Sequence, residues 1–149
     1  MSSAPKKSGV GLLLVSHGNL AAEFLDAAGR ILGAAEPKAV PVCVDWATES
    51  AAAKEQIRRA LRKLQEDNAQ ILILTDLFGG TPTNLSMTFY QAGTVEILTG
   101  ANLPMVIKAL MSIAEGPSLA DLLATLKEKG QSAIVSVSEV LNPPEGPRR

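Results

Sequence analysis

What this chain has least of narrows it first. Its 149 residues include one histidine, one cysteine, one tryptophan and one tyrosine, with aromatic residues at 3 %. A lone histidine, His17, excludes a multi-histidine metal centre, and no metal site is expected. A lone cysteine, Cys43, excludes an internal disulfide and a paired-thiolate zinc site. Cys43 lies in the apolar run Val40-Pro41-Val42-Cys43-Val44 and reads as a small core residue. No apolar stretch approaches the ~20 residues that span a bilayer. Met1 to Ser8 is polar and lacks the apolar region of a secretory signal. A formal net charge of -1 offers no basic field for nucleic acid. The expectation is a soluble, cytoplasmic protein with no nucleic-acid partner and no direct membrane insertion.

What is there fits a folded α/β domain: hydrophobic residues reach 46 % and charged residues 19 %, enough to build a core. Strand-like runs at Gly11–Ser16, Ala39–Val44, Gln70–Thr75 and Thr94–Leu98 alternate with helical patterns, and a late strand is expected near Ala133–Val137. The helical patterns are Leu20–Leu32, stopped by Gly33; Thr48–Glu66; Pro82–Ala92, stopped by Gly93; Pro104–Ile113; and Ser118–Lys129, stopped by Gly130. Leu12–Val15 and Ile71–Leu74 are continuously apolar, as strands covered on both faces require. These features predict a doubly wound, mainly parallel sheet with helices on both faces. One domain over 10–141 is expected, between a flexible segment at 1–9 and a disordered tail at 142–149.

Two strand ends carry the chemistry. His17 closes the first strand and is followed by Gly18-Asn19, which puts an imidazole at the carboxyl edge of the sheet, where ligands gather in open α/β folds. It is either an idle hydrogen-bonded histidine or a nucleophile or base; Gly18 leaves room beside the ring. Asn19 is a candidate N-cap for the next helix. Asp76 ends the third strand. If those strands are neighbours, its carboxylate can hold one ring nitrogen and leave the other free to attack; alone it would be a turn residue. Gly79-Gly80-Thr81-Pro82 opens the following helix, with Thr81 as N-cap and Pro82 at the first helical position. Free N–H groups there would favour a phosphoryl group, although a plain capped turn has the same letters. No Walker lysine or G-x-G-x-x-G is present. Gly100-Ala101-Asn102-Leu103-Pro104 is either another pocket wall or a simple connection. Trp46, after Asp45 at the end of the second strand, is either a partner contact or a lid over the core.

Taken together, these segments resemble the mannose-family enzyme IIA proteins of the bacterial phosphotransferase system. Ser16-His17-Gly18 is similar to that family's active-site segment, Asp76-Leu77-Phe78-Gly79-Gly80-Thr81-Pro82-Thr83-Asn84 to its second signature, and Gly100-Ala101-Asn102-Leu103-Pro104-Met105 to a third. Order and spacing agree from about Gly11 to Val137. The resemblance implies that His17 accepts a phosphoryl group from the phosphohistidine of HPr and passes it to an enzyme IIB histidine, for sugar uptake or for regulation. It also implies that Asp76 orients His17, that Gly18, Gly79, Gly80, Thr81 and Asn102 receive the phosphoryl oxygens, and that no cofactor is needed. The family fold implies a homodimer with an antiparallel edge strand contributed across it, and association with membrane IIC and IID subunits.

Asp45-Trp46-Ala47-Thr48-Glu49 departs from the family's usual stretch. With no fused IIB domain expected after the last strand, the IIB partner is expected either on a separate chain or to be missing, which would make the protein a regulatory phosphoacceptor. Two rivals share parts of the pattern. A tetrapyrrole metal chelatase also begins with a strand ending in His-Gly, but this chain has no second histidine to serve as a ligand. The phosphoryl-relay subunit of a dihydroxyacetone kinase shares the histidine, but usually reads Ser-His-Ser.

Overall fold

Val10–His17 forms β1, whose residues are buried on both sides until His17. In the computed structural model, which describes residues 6–34, 36–144 and 146, β1 lies inside a four-stranded sheet. The flexible segment expected at 1–9 and the tail expected at 142–149 fall partly outside the described residues. The remaining strands are β2 (Val40–Val44), β3 (Gln70–Thr75) and β4 (Val95–Leu98). Their order is β2-β1-β3-β4, and all three pairings are parallel. Parallel neighbours need crossovers, and helices supply them: α1 (Leu20–Leu32), α2 (Ser50–Asp67) and α3 (Thr81–Met87). α4 (Leu103–Ile113), α5 (Leu119–Ser132) and a short α6 (Val137–Leu141) follow.

Residue alternation along the strands sorts the core into two layers. Leu12, Leu14, Leu72 and Leu74 meet Ala21, Leu25 and Ala28 of α1 together with residues of α4 and α5. Leu13, Val15, Ile71 and Ile73 meet Ala53, Ile57 and Leu61 of α2. Burying each large aliphatic side chain contributes roughly 1.5–3 kcal/mol, so the two central strands are anchored from both faces. The chain leaves β1 towards β2 on one side and later enters β3 on the other. The β1 and β3 ends therefore open a crevice at the carboxyl edge, the usual ligand position in such sheets.

Four expectations need correction. α3 stops at Met87 rather than Ala92; Thr88 Oγ1 donates to the Leu85 carbonyl, and Gln91 and Val95 form an antiparallel bridge. Gly130 does not stop α5, which continues to Ser132. A Cβ at Gly130 would lie 2.5 Å from Met105 Cε, so this glycine allows α5 to pack on α4. The strand expected at Ala133–Val137 is absent: Ala133 caps α5, 134–136 pairs with no strand among the described residues, and Val137 begins α6. An extended segment needs a neighbouring strand for its N–H and C=O groups, and none lies beside it among the described residues. Cys43 is half-buried at the margin of the core rather than inside it.

Candidate functional site

Parallel register brings the two candidate residues together. Val15 of β1 pairs with Thr75 of β3, so His17 and Asp76 leave adjacent strand ends. Asp76 Oδ2 accepts two hydrogen bonds from His17, one from the backbone N–H and one from ring Nδ1, each at 2.9 Å. A carboxylate can only accept, so Nδ1 carries the proton and the Nε2 lone pair stays available. The side chains are 21 % and 10 % exposed, so the pair is partly shielded from water while the ring remains reachable. Asp76 Oδ1 is buried and has no hydrogen-bond partner among the described residues. Its charge is directed mainly at the imidazole, which favours any step that makes the ring cationic.

The loop after β3 closes over the other edge of the ring. A Cβ built on Gly80 would lie 2.5 Å from His17 Cε1 and 3.1 Å from Nε2, so only glycine lets the imidazole approach this backbone. Gly79 has φ 81°, which glycine adopts without strain. Gly80, not Thr81, is the N-cap of α3, and Thr81 is its first residue. The Thr81 side chain makes no capping bond, because the helix begins one residue earlier than Pro82 at the first position would require. Thr83 holds the loop from beneath: its Oγ1 donates to the Leu77 carbonyl at 2.6 Å and lies 2.7 Å from Thr75 Oγ1.

On the β1 side, the Gly18 N–H donates to the Val44 carbonyl at 2.9 Å, tying the end of β1 to β2. Asn19 occupies the N-cap position of α1, but its side chain makes no cap bond and donates to Glu23 instead. The buried Ser16 hydroxyl takes that role, accepting the Ala21 N–H at 2.7 Å. Ser16 and Thr83 were missed as supports by sequence reasoning; small hydroxyl residues flanking both glycine turns were the available signal. Asn102 is committed elsewhere. Its Oδ1 accepts from Met105 N and its Nδ2 donates to the Gly130 carbonyl, so it caps α4 and ties it to α5. Trp46 is 81 % exposed and stacks on His17, with ring centroids 5.3 Å apart and planes at 25°. It is therefore no lid over the core. A shallow open depression of about 700 Å³ surrounds this centre, lined by His17, Gly18, Trp46, Asp76 and Leu77 among others.

The family described as "PTS system fructose IIA component" matches residues 11–127. The chain belongs to this enzyme IIA family. It is 29 % identical over 133 residues to the fructose-specific EIIA component of Bacillus subtilis (strain 168), covering 89 % of each. It is 27 % identical over 131 residues to the mannose-specific EIIAB component of Escherichia coli (strain K12), covering 84 % of this chain and 38 % of that protein. The crystal structure of phosphotransferase system component EIIA from Streptococcus agalactiae superimposes with a TM-score of 0.73 at 29 % identity, over 87 % of this chain and 98 % of that one. This enzyme IIA is accordingly a phosphotransfer component of the sugar phosphotransferase system. Among the described residues no three His, Cys, Asp or Glu side chains cluster as a metal-ligand set. Among them also, no helix is long and apolar enough to cross a membrane.

Proposed function

We propose that His17 is the phosphoryl acceptor and that Nε2 is the attacking atom. The bond from Nδ1–H to Asp76 Oδ2 carries this proposal, because it fixes the tautomer in which Nε2 holds a lone pair. The donor is the phosphohistidine of HPr. The Nε2 lone pair forms a new N–P bond, the donor's N–P bond breaks, and its electron pair returns to the donor imidazole. His17 becomes a phospho-imidazolium whose remaining proton stays on Nδ1, facing the Asp76 carboxylate. Passage to a histidine of an enzyme IIB partner is the same exchange in reverse. Phosphoryl transfer of this kind depends on in-line placement and on donors for the equatorial oxygens. Gly79, Gly80 and Thr81, where the loop enters α3 beside the ring, are the proposed oxygen-binding set. The Gly18 N–H is committed to the Val44 carbonyl, and the Gly80 N–H makes a long 3.4 Å bond to the Leu77 carbonyl. Asn102 supports the neighbouring wall by its cap.

The acceptor protein decides whether the phosphoryl group serves sugar uptake, through IIC and IID subunits, or regulation. The chelatase alternative finds no ligand set among the described residues, and Ser16-His17-Gly18 differs from the Ser-His-Ser of the relay alternative. A homodimer completes the proposed assembly. Ile134, Val135, Val137, Val140 and Leu141 are all exposed in the single chain. Beside β4, Phe78, Met87, Tyr90 and Ile97 line an apolar hollow of about 320 Å³. Pairing of a partner's 133–137 segment along β4 would satisfy both.

The direct test is incubation with phosphoenolpyruvate, enzyme I and HPr, followed by intact mass. Gain of one acid-labile phosphoryl group, lost in His17→Ala with an unchanged far-UV spectrum, is expected. Labelling that persists in His17→Ala would overturn the assignment.

A further inference from the structure

Trp46 is the one aromatic side chain stacked on the histidine, and its placement is built rather than incidental. It sits in a tight turn directly after β2. The Thr48 N–H closes that turn on the Asp45 carbonyl at 3.0 Å, and Asp45 Oδ1 accepts the Ala47 N–H at 3.1 Å. The same strand end is tied to β1 by the bond from Gly18 N–H to the Val44 carbonyl. Gly18 has φ 49°, and a Cβ there would sit 3.6 Å from the indole Nε1. The turn thus holds the indole against one face of the imidazole, while most of the indole surface lies in solvent.

We propose that Trp46 is a positioning residue for His17. Asp76 holds one vertex of the ring through Nδ1, Gly80 allows the adjoining Cε1–Nε2 edge to lie close to the backbone, and Trp46 blocks rotation of the ring out of that plane. With the three in place, Nδ1–H is the fixed tautomer and Nε2 keeps its lone pair. Each contact removes a different escape. The hydrogen bond alone breaks if the ring turns about its Cβ–Cγ bond; a stacked indole opposes that turn. The nearby carboxylates do not compete for the ring. Glu23 is engaged by Asn19, and Asp45 by its own turn. An aromatic pair of this geometry biases an equilibrium by roughly 2- to 10-fold, which sets the size of the expected effect.

The only histidine and the only tryptophan make the test clean. Nitrogen NMR of the neutral His17 ring reads its tautomer in protein that has met no phosphoryl donor. The native ring is expected almost wholly as Nδ1–H. Trp46→Ala should raise the Nε2–H fraction by roughly 2- to 10-fold, and Trp46→Phe should restore the native pattern. The kinetic arm rests on His17 being the acceptor. With phospho-HPr as donor, Trp46→Ala should lower kcat, through lost ring orientation rather than through the minor tautomer, by up to roughly 10-fold and leave KM unchanged. Native nitrogen shifts in Trp46→Ala overturn the proposal, as does a rise in KM with native kcat, which would make Trp46 a docking contact. If the native protein accepts no phosphoryl group, the functional assignment fails, while the nitrogen shifts still decide the role of Trp46.

Discussion

Gly80 and His17 occupy space that a single extra carbon would contest: a Cβ at position 80 would lie 2.5 Å from His17 Cε1. The N-cap of α3 and the imidazole are thereby locked to each other. Neither residue alone explains the site. The glycine is where the ring approaches the backbone, and the ring's other edge is held by Asp76.

Gly80→Ala is expected to displace the imidazole from Asp76 and to lower the rate of phosphoryl acceptance at least tenfold, to a first approximation the loss of well-oriented reacting groups. Overpacking of this kind costs about 1–3 kcal/mol, so the thermal midpoint should also fall. Time-resolved intact mass beside a melting curve checks both. Native transfer in a Gly80→Ala protein would remove the steric coupling from the account.

Asp76→Asn keeps an acceptor oxygen at nearly the same place but removes the charge opposite the ring. Donor binding should persist, while the transfer step slows by about 10²-fold or more, the scale of a lost charge-assisting group. Single-turnover labelling with phospho-HPr separates the two. Unchanged transfer rates would reduce Asp76 to a turn residue.

Ser16→Ala removes the hydroxyl that accepts the Ala21 N–H at the start of α1. Loss of a helix N-terminal acceptor costs about 0.5–2 kcal/mol. In a domain of this size each 1 kcal/mol lowers the melting midpoint by roughly 2–4 °C. The midpoint should drop by that order in differential scanning calorimetry. A midpoint unaltered within a degree would show that water or another group caps α1 equally well.

Ile134→Asp together with Val137→Asp places charges on the apolar stretch that follows α5. Sedimentation of the native chain should give a dimer, and the double variant a monomer with an intact far-UV spectrum. A native chain that sediments as a monomer at micromolar concentration would remove the paired edge strand.

The sequence by itself determined the local grammar of the molecule. Apolar runs such as Leu12–Val15 and Ile71–Leu74 declared strands buried on both faces, because such strands cannot alternate. Gly33 announced the end of α1 and takes φ 67° there. Ser118 announced the start of α5 and accepts the Asp121 N–H. Even the pairing of His17 with Asp76 was legible as a condition, since both residues end strands. Only tertiary structure met that condition, by setting β3 directly beside β1 in a register that no local pattern encodes. The same holds for Gly130, which reads as a stop but serves close packing on Met105. Asn102 reads as a pocket residue, yet its amide bridges α4 to α5. Trp46 had two open readings until β2 was placed beside β1 and its turn carried the indole onto His17. Short-range propensities act within a few residues, whereas these contacts join segments tens of residues apart. Their geometry comes from the packing of the sheet and its helices, which is a property of the whole chain.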